Sequence, residues 1–165
     1  MITGKYPSLR LRRNRKAEWT RRLVEESSLS SNDLILPIFL IDGKNRIQSI
    51  KLMPGVFRYS IDQLSKIVDK AIFLRIPMVA LFPYSNSKVK NKHGSEALNE
   101  DNLVCRAIRY IKKKYKNQIG IMCDVALDPY TSHGHDGLLK SGYVLNDETV
   151  EILIKQSLLQ AEMGC

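Results

Sequence analysis

"LILPIFLI", residues 34–41, is apolar at every position. A strand packed on one face alternates apolar and polar residues, whereas a strand covered on both faces does not. The run is far too short for a membrane span and contains Pro37, so it predicts a central strand of a sheet. Two more stretches have this character: "MVALF", 78–82, and "IGIMCDVAL", 119–127. Between them the period changes from strand to helix. Ile61, Leu64, Ile67, Val68, Ala71 and Ile72 recur at helical spacing behind a Ser60–Gln63 capping-box pattern, and Pro77 ends the element. Asn99 or Asp101 is expected to cap a second helix whose apolar face is Leu103, Ala107, Ile108 and Ile111. Its tail, "KKKYK" (112–116), sets cations where the helix dipole favours them. A last helix is expected to start at a capping Asn146, with Val150, Leu153, Ile154, Leu158 and Ala161 as its apolar positions and Gly164 as its stop.

Strand and helix alternate three times, and strands apolar on both faces joined by helices mean a parallel sheet. Residues 43–55, 84–98 and 128–146 read as loops, punctuated by Gly43, Pro54, Gly55 and Gly94. Three units fall short of a closed barrel, which takes eight units and about 250 residues. The expected architecture is the front part of a larger α/β protein or a truncated product.

Charge narrows the partners. The net charge is +9, but residues 1–22 hold eight Lys or Arg against Glu18 alone and carry +7 of it. Residues 1–16 read as an extended arm, followed by a short helix near 17–26 with Ala17, Thr20, Leu23 and Val24 on one side. A basic tail suits nucleic acid, an acidic membrane or an acidic face of a partner subunit. Neither an aromatic ladder nor a nucleic-acid motif accompanies it, so nucleic acid and membrane are not the expected partners. The three cysteines, Cys105, Cys123 and Cys165, form neither a disulfide framework nor a zinc ribbon. A reducing cytosol is the expected compartment, although the arginine-rich start also has the pattern of an organelle transit peptide.

The chemistry concentrates in "CDVALDPYTSHGHDG", 123–137. This stretch leaves the third strand and enters a 19-residue loop, the place where ligands meet parallel sheets. Strand alternation sets Asp124, Ala126 and Asp128 on one face and Cys123, Val125 and Leu127 on the other. A loop folding back brings Asp136 toward the two aspartates. Three converging carboxylates take up a proton, bind a cation or pair with an ammonium. Oxygen donors suit Mg2+ or a monovalent ion better than Zn2+, with Asp128 and Asp136 as the candidate ligands. His133 and His135 serve either as loop anchors or, with Asp136, as a water-activating metal site of a barrel hydrolase. Cys123 is most simply a small buried residue.

The segment "DVALDPYTSHGHDG", 124–137, is very similar to the substrate-site segment of the porphobilinogen synthase (5-aminolevulinate dehydratase) family. "MPGVFRYSIDQL" (53–64), "IPMVALFP" (76–83), "GSEALNEDNLVCRAI" (94–108), "GYVLNDETVEILIKQ" (142–156) and "AEMGC" (161–165) resemble it too. The resemblance implies an N-terminal part of a TIM-type (β/α)8 barrel, with an arm over residues 1–30 and the first part of the barrel over 31–165. It implies an enzyme that condenses two 5-aminolevulinate molecules into porphobilinogen for haem and other tetrapyrroles. It also implies a homo-oligomer, commonly an octamer, joined through the arm. The zinc branch of the family carries cysteines at the places of Ala126, Asp128 and Asp136, so Mg2+ or a monovalent cation is expected here instead. Asp124, Asp128 and Asp136 are the expected substrate-site acids. The family's two Schiff-base lysines lie in later strands, and no lysine here matches them. The isolated chain is therefore expected to be inactive, and one alternative is a non-catalytic fragment that docks on intact subunits.

Overall fold

The computed structural model describes residues 4–165, which fall into two compact units divided after Ser30. Met1, Ile2 and Thr3 of the expected arm lie outside the described residues. In the first unit a short turn of 310 helix, Arg13–Arg15, precedes helix α1, Glu18–Leu23. The helix is shorter than its sequence pattern suggests and buries no residue; Leu23 is 77% exposed.

The second unit begins with β1, Ile35–Ile41. Two short strands that the sequence pattern does not announce follow, β2 (Ile47–Ser49) inside the expected loop and β3 (Phe57–Tyr59) just after it, and they pair antiparallel. β3 then runs parallel to β1. Three-residue strands are too short to show a period, which is why the pattern missed them. Next come α2 (Leu64–Phe73), β4 (Met78–Tyr84), α3 (Leu103–Tyr115) and β5 (Gly120–Cys123). β4 lies parallel between β1 and β5, giving the sheet order β2-β3-β1-β4-β5. The hairpin β6 (Leu139–Lys140) and β7 (Tyr143–Val144) stands in the predicted loop, and α4 runs Asn146–Met163. The architecture is mixed α/β with a partly parallel, unclosed sheet.

The predicted faces of α2 and α3 pack on one side of the sheet. Leu64, Val68 and Ala71 from α2, and Leu103, Ala107, Ile108 and Ile111 from α3, meet Ile38, Leu40, Val79, Leu81 and Ile121. Each fully buried aliphatic side chain here contributes about 1.5–3 kcal/mol. The opposite face is more open: Ile41 and Ala80 are buried there, but Met122 is 42% exposed, so the two-sided burial that the composition predicts is met only in part.

Several local expectations are corrected by hydrogen bonding. Ser60 caps nothing: its Oγ accepts from the Arg46 amide (2.9 Å) and donates toward Asp62 (2.7 Å), sewing the β2 side to the end of β3. The α3 cap is Asn102, whose carbonyl oxygen accepts from the Cys105 amide at 2.8 Å, while Asn99 is spent one turn earlier on the Asp101 amide. α4 is capped by Leu145, with Asn146 as its first residue. Its expected apolar positions Val150, Ile154 and Leu158 face outward, 43–60% exposed, and its buried residues are Thr149, Gln156, Leu159 and Gln160. Gly164 does end α4, in the left-handed conformation.

Candidate active site

β5 pairs with β4 only as far as Leu81↔Cys123. The chain continues without a ladder, yet alternation persists in what it presents. Asp124, Ala126 and Asp128 line one cavity of about 220 Å³, while Leu127, fully buried, packs with Ala97 and Tyr130. The cavity sits at the carboxyl ends of β1 and β4, where Phe39 and Phe82 face each other with ring centroids 5.8 Å apart. Arg58 of β3 forms another wall, its guanidinium 4.2 Å from the centre of the Tyr84 ring. A cation held over an aromatic face is a preorganised anion partner. Arg58 escapes the sequence pattern because its three-residue strand is too short to show a period; the alternation in "FRYS" is its local signal.

Burial holds the Asp128 carboxyl above the usual carboxylate range, and the neighbouring charges of Asp136 and Asp124 push the same way. Lys90 acts against them, and its Nζ also donates to the Asp128 carbonyl at 3.3 Å. Asp136 stands differently from the other two acids. Its Oδ1 accepts the amide of Leu127, so it folds the loop back onto the segment between Asp124 and Asp128. All three acids thus share one neighbourhood, but the cavity is lined by Asp124 and Asp128.

The loop is stitched down by its own polar groups. Asn91 donates its amide to Tyr130 O (3.2 Å) and accepts from the Ser132 amide (3.0 Å). Thr131 Oγ1 donates to His135 O at 2.8 Å. The His135 amide donates to His133 Nδ1 at 3.2 Å, and His133 Nε2 lies 3.4 Å from Lys92 O. The His133 ring therefore bonds backbone groups on both sides, at His135 and at Lys92, whereas His135 is tied in through its own backbone and its ring stands beside that of His133. Gly134 between them adopts φ +75°, a left-handed conformation that suits glycine. At Gly137 a Cβ would stand 2.8 Å from Val144 Cγ1, so only glycine lets the loop close on the hairpin.

Cys123, next to the site acid Asp124, is not poised as a nucleophile. Burial, followed by the proximity of Cys165, pushes the Cys123 thiol well above its ordinary range, away from the reactive thiolate. Among the described residues no three His, Cys, Asp or Glu side chains converge to hold a metal. Zinc, which asks for at least three protein ligands, does not fit this donor set. Magnesium asks less, since it is held by one or two carboxylates and keeps several waters.

An acid-lined cavity at the carboxyl ends of parallel strands, walled by a long anchored loop, stands where proteins of the α/β-barrel class take their ligands. The comparisons give that class a family. The family model described as Delta-aminolevulinic acid dehydratase matches residues 8–165. The delta-aminolevulinic acid dehydratase of Bradyrhizobium diazoefficiens is 56% identical over 96% of this chain and 44% of its own length. That of Chlamydia pneumoniae is 43% identical over 95% of this chain and 47% of its own. The crystal structure of the Toxoplasma gondii enzyme with its reaction product porphobilinogen matches with a TM-score of 0.88 at 38% identity, over 95% of this chain and 45% of that one. The chain belongs to the delta-aminolevulinic acid dehydratase family and spans about half the length of these relatives.

Proposed function

We propose that the chain supplies the acidic half of a porphobilinogen synthase site, which condenses two molecules of 5-aminolevulinate in tetrapyrrole synthesis. The observation that carries this is the pairing of Asp124 and Asp128 along one wall of the cavity, in a chain of this family. The substrate is an amino-ketone with a carboxylate at its far end. Asp124 is placed to accept hydrogen bonds from its ammonium. Asp128, held toward its protonated form by burial, exchanges protons with the reacting groups. Arg58, over the Tyr84 ring, meets the carboxylate.

Among the described residues no lysine lines the cavity. The amine that condenses with the ketone, expelling water and making the adjacent carbon acidic, comes from outside residues 1–165. A hard cation, Mg2+ or a monovalent ion, would be held by oxygens of Asp128 and Asp136 and would neutralise their charge; no reaction step is assigned to it. The basic segment 1–22 carries +7 and serves as an arm onto another copy in a homo-oligomer, with an octamer as the expected size.

Porphobilinogen formation tests the reading. A polypeptide that continues into the second half of the family's length should turn over, and residues 1–165 alone should not. In the active polypeptide D124A and D128A should each lower turnover about 100-fold or more. Turnover by residues 1–165 alone, or undiminished activity in both variants, overturns it.

A further inference from the structure

We infer that Gln156 and Gln160 are positioning residues that hold the backbone beyond the end of the β4–β5 ladder and set the direction of the Asp124 side chain and of the turn that carries Asp128. The inference rests on the reading of those two aspartates as site acids. β5 has its last ladder pair at Cys123, and residues 124–126 belong to no strand. An extended segment with unpaired carbonyls twists and frays, and its side chains turn with it. Here two side-chain amides take up the ladder's role. Gln160 Nε2 donates to Asp124 O and Gln156 Nε2 donates to Ala126 O, both at 3.1 Å.

The spacing fits on both sides. Residues four apart on a helix rise about 6 Å along its axis, and carbonyls two apart on an extended chain point the same way about 6.6 Å apart. One helix face can therefore serve two successive same-side carbonyls. Both amides are hidden, Gln156 at 1% and Gln160 at 5% exposure, on a helix that turns Val150, Ile154 and Leu158 to the outside. Gln156 Oε1 is buried with no hydrogen-bond partner. Turning the amide over would set that oxygen against the Ala126 carbonyl, so the arrangement accepts one unpaired acceptor to keep the bond to the segment. With the Leu127 amide held by Asp136, the backbone at 124, 126 and 127 is fixed by three side chains. Asp124, which lines the cavity, has its own carbonyl held, and Asp128 follows directly on the held residues 126 and 127.

The test uses the active polypeptide. Q160M keeps the volume and removes the donor; Q160E keeps the shape, and its carboxylate cannot donate to a carbonyl. Q156M tests the more deeply buried position. Turnover, KM and thermal midpoint are measured together with 5-aminolevulinate binding at equilibrium. The expected result is a fall in kcat of about 10- to 100-fold in Q160M and Q160E, with KM and substrate binding changed far less and the fold retained. A purely structural role would lower the thermal midpoint and leave kcat per folded molecule intact. If the folded variants at 160 keep kcat within about twofold of the parent, the clamp is refuted, even where D124A and D128A abolish turnover. If D124A and D128A are themselves fully active, the reading of the aspartates falls and the clamp with it.

Discussion

Asp136 offers the sharpest separation between holding backbone and doing chemistry. Its Oδ1 accepts the amide of Leu127, a residue with no exposed surface. In D136A that amide loses its partner inside the fold. A buried donor left unpaired costs about 1–3 kcal/mol; because Asp136 itself is exposed, water can partly replace it, and about 1–2 kcal/mol is expected. A chain of 165 residues converts this to a fall in thermal midpoint of about 2–8 °C. D136N retains an oxygen acceptor without the charge and should lose less than half as much. Calorimetry gives the midpoints, and hydrogen exchange at the Leu127 amide gives the local effect: protection should collapse in D136A and largely survive in D136N. Unchanged Leu127 protection in D136A would show that the acid does not anchor this segment.

Two further outcomes concern the scaffold. Hydrogen bonds from Gln63, from Ser60 and from the Asn45 amide lower the Asp62 carboxyl to about 2. A carboxyl depressed in the folded state adds stability that is present above its unfolded value, about 3.9, and is lost as pH falls toward 2. Acid unfolding followed by circular dichroism should therefore steepen below about pH 4 in the parent and flatten there in D62A, whereas equal slopes would deny the linkage. N102A removes the acceptor for the Cys105 amide at the start of α3 and should cost about 1 kcal/mol, read as a drop in denaturant midpoint with an unchanged slope.

The legible parts of this protein were those fixed by local pattern. The composition of 34–41 and 78–82 announces β1 and β4, and the periodic faces of α2 and α3 pack as their spacing predicts. The alternation of Asp124, Ala126 and Asp128 survives even though the strand ends at Cys123. Extended backbone presents every second side chain to one side whether or not a partner strand is bonded to it. What pattern alone left hidden has one cause: the partner lies far along the chain. β2 and β3 exist through pairing with each other and with β1. Arg58 gained its place in the cavity only when that pairing set it beside Tyr84. Along α4 the apolar period placed Val150, Ile154 and Leu158 inward, whereas the buried positions include Gln156 and Gln160, which donate to carbonyls at 126 and 124, thirty and thirty-six residues earlier. Sequence by itself determined the elements that carry their own hydrophobic signal and the acids that follow them. Tertiary structure decided which polar groups are turned inward, since a buried hydrogen bond is a property of two distant residues and is written in neither alone.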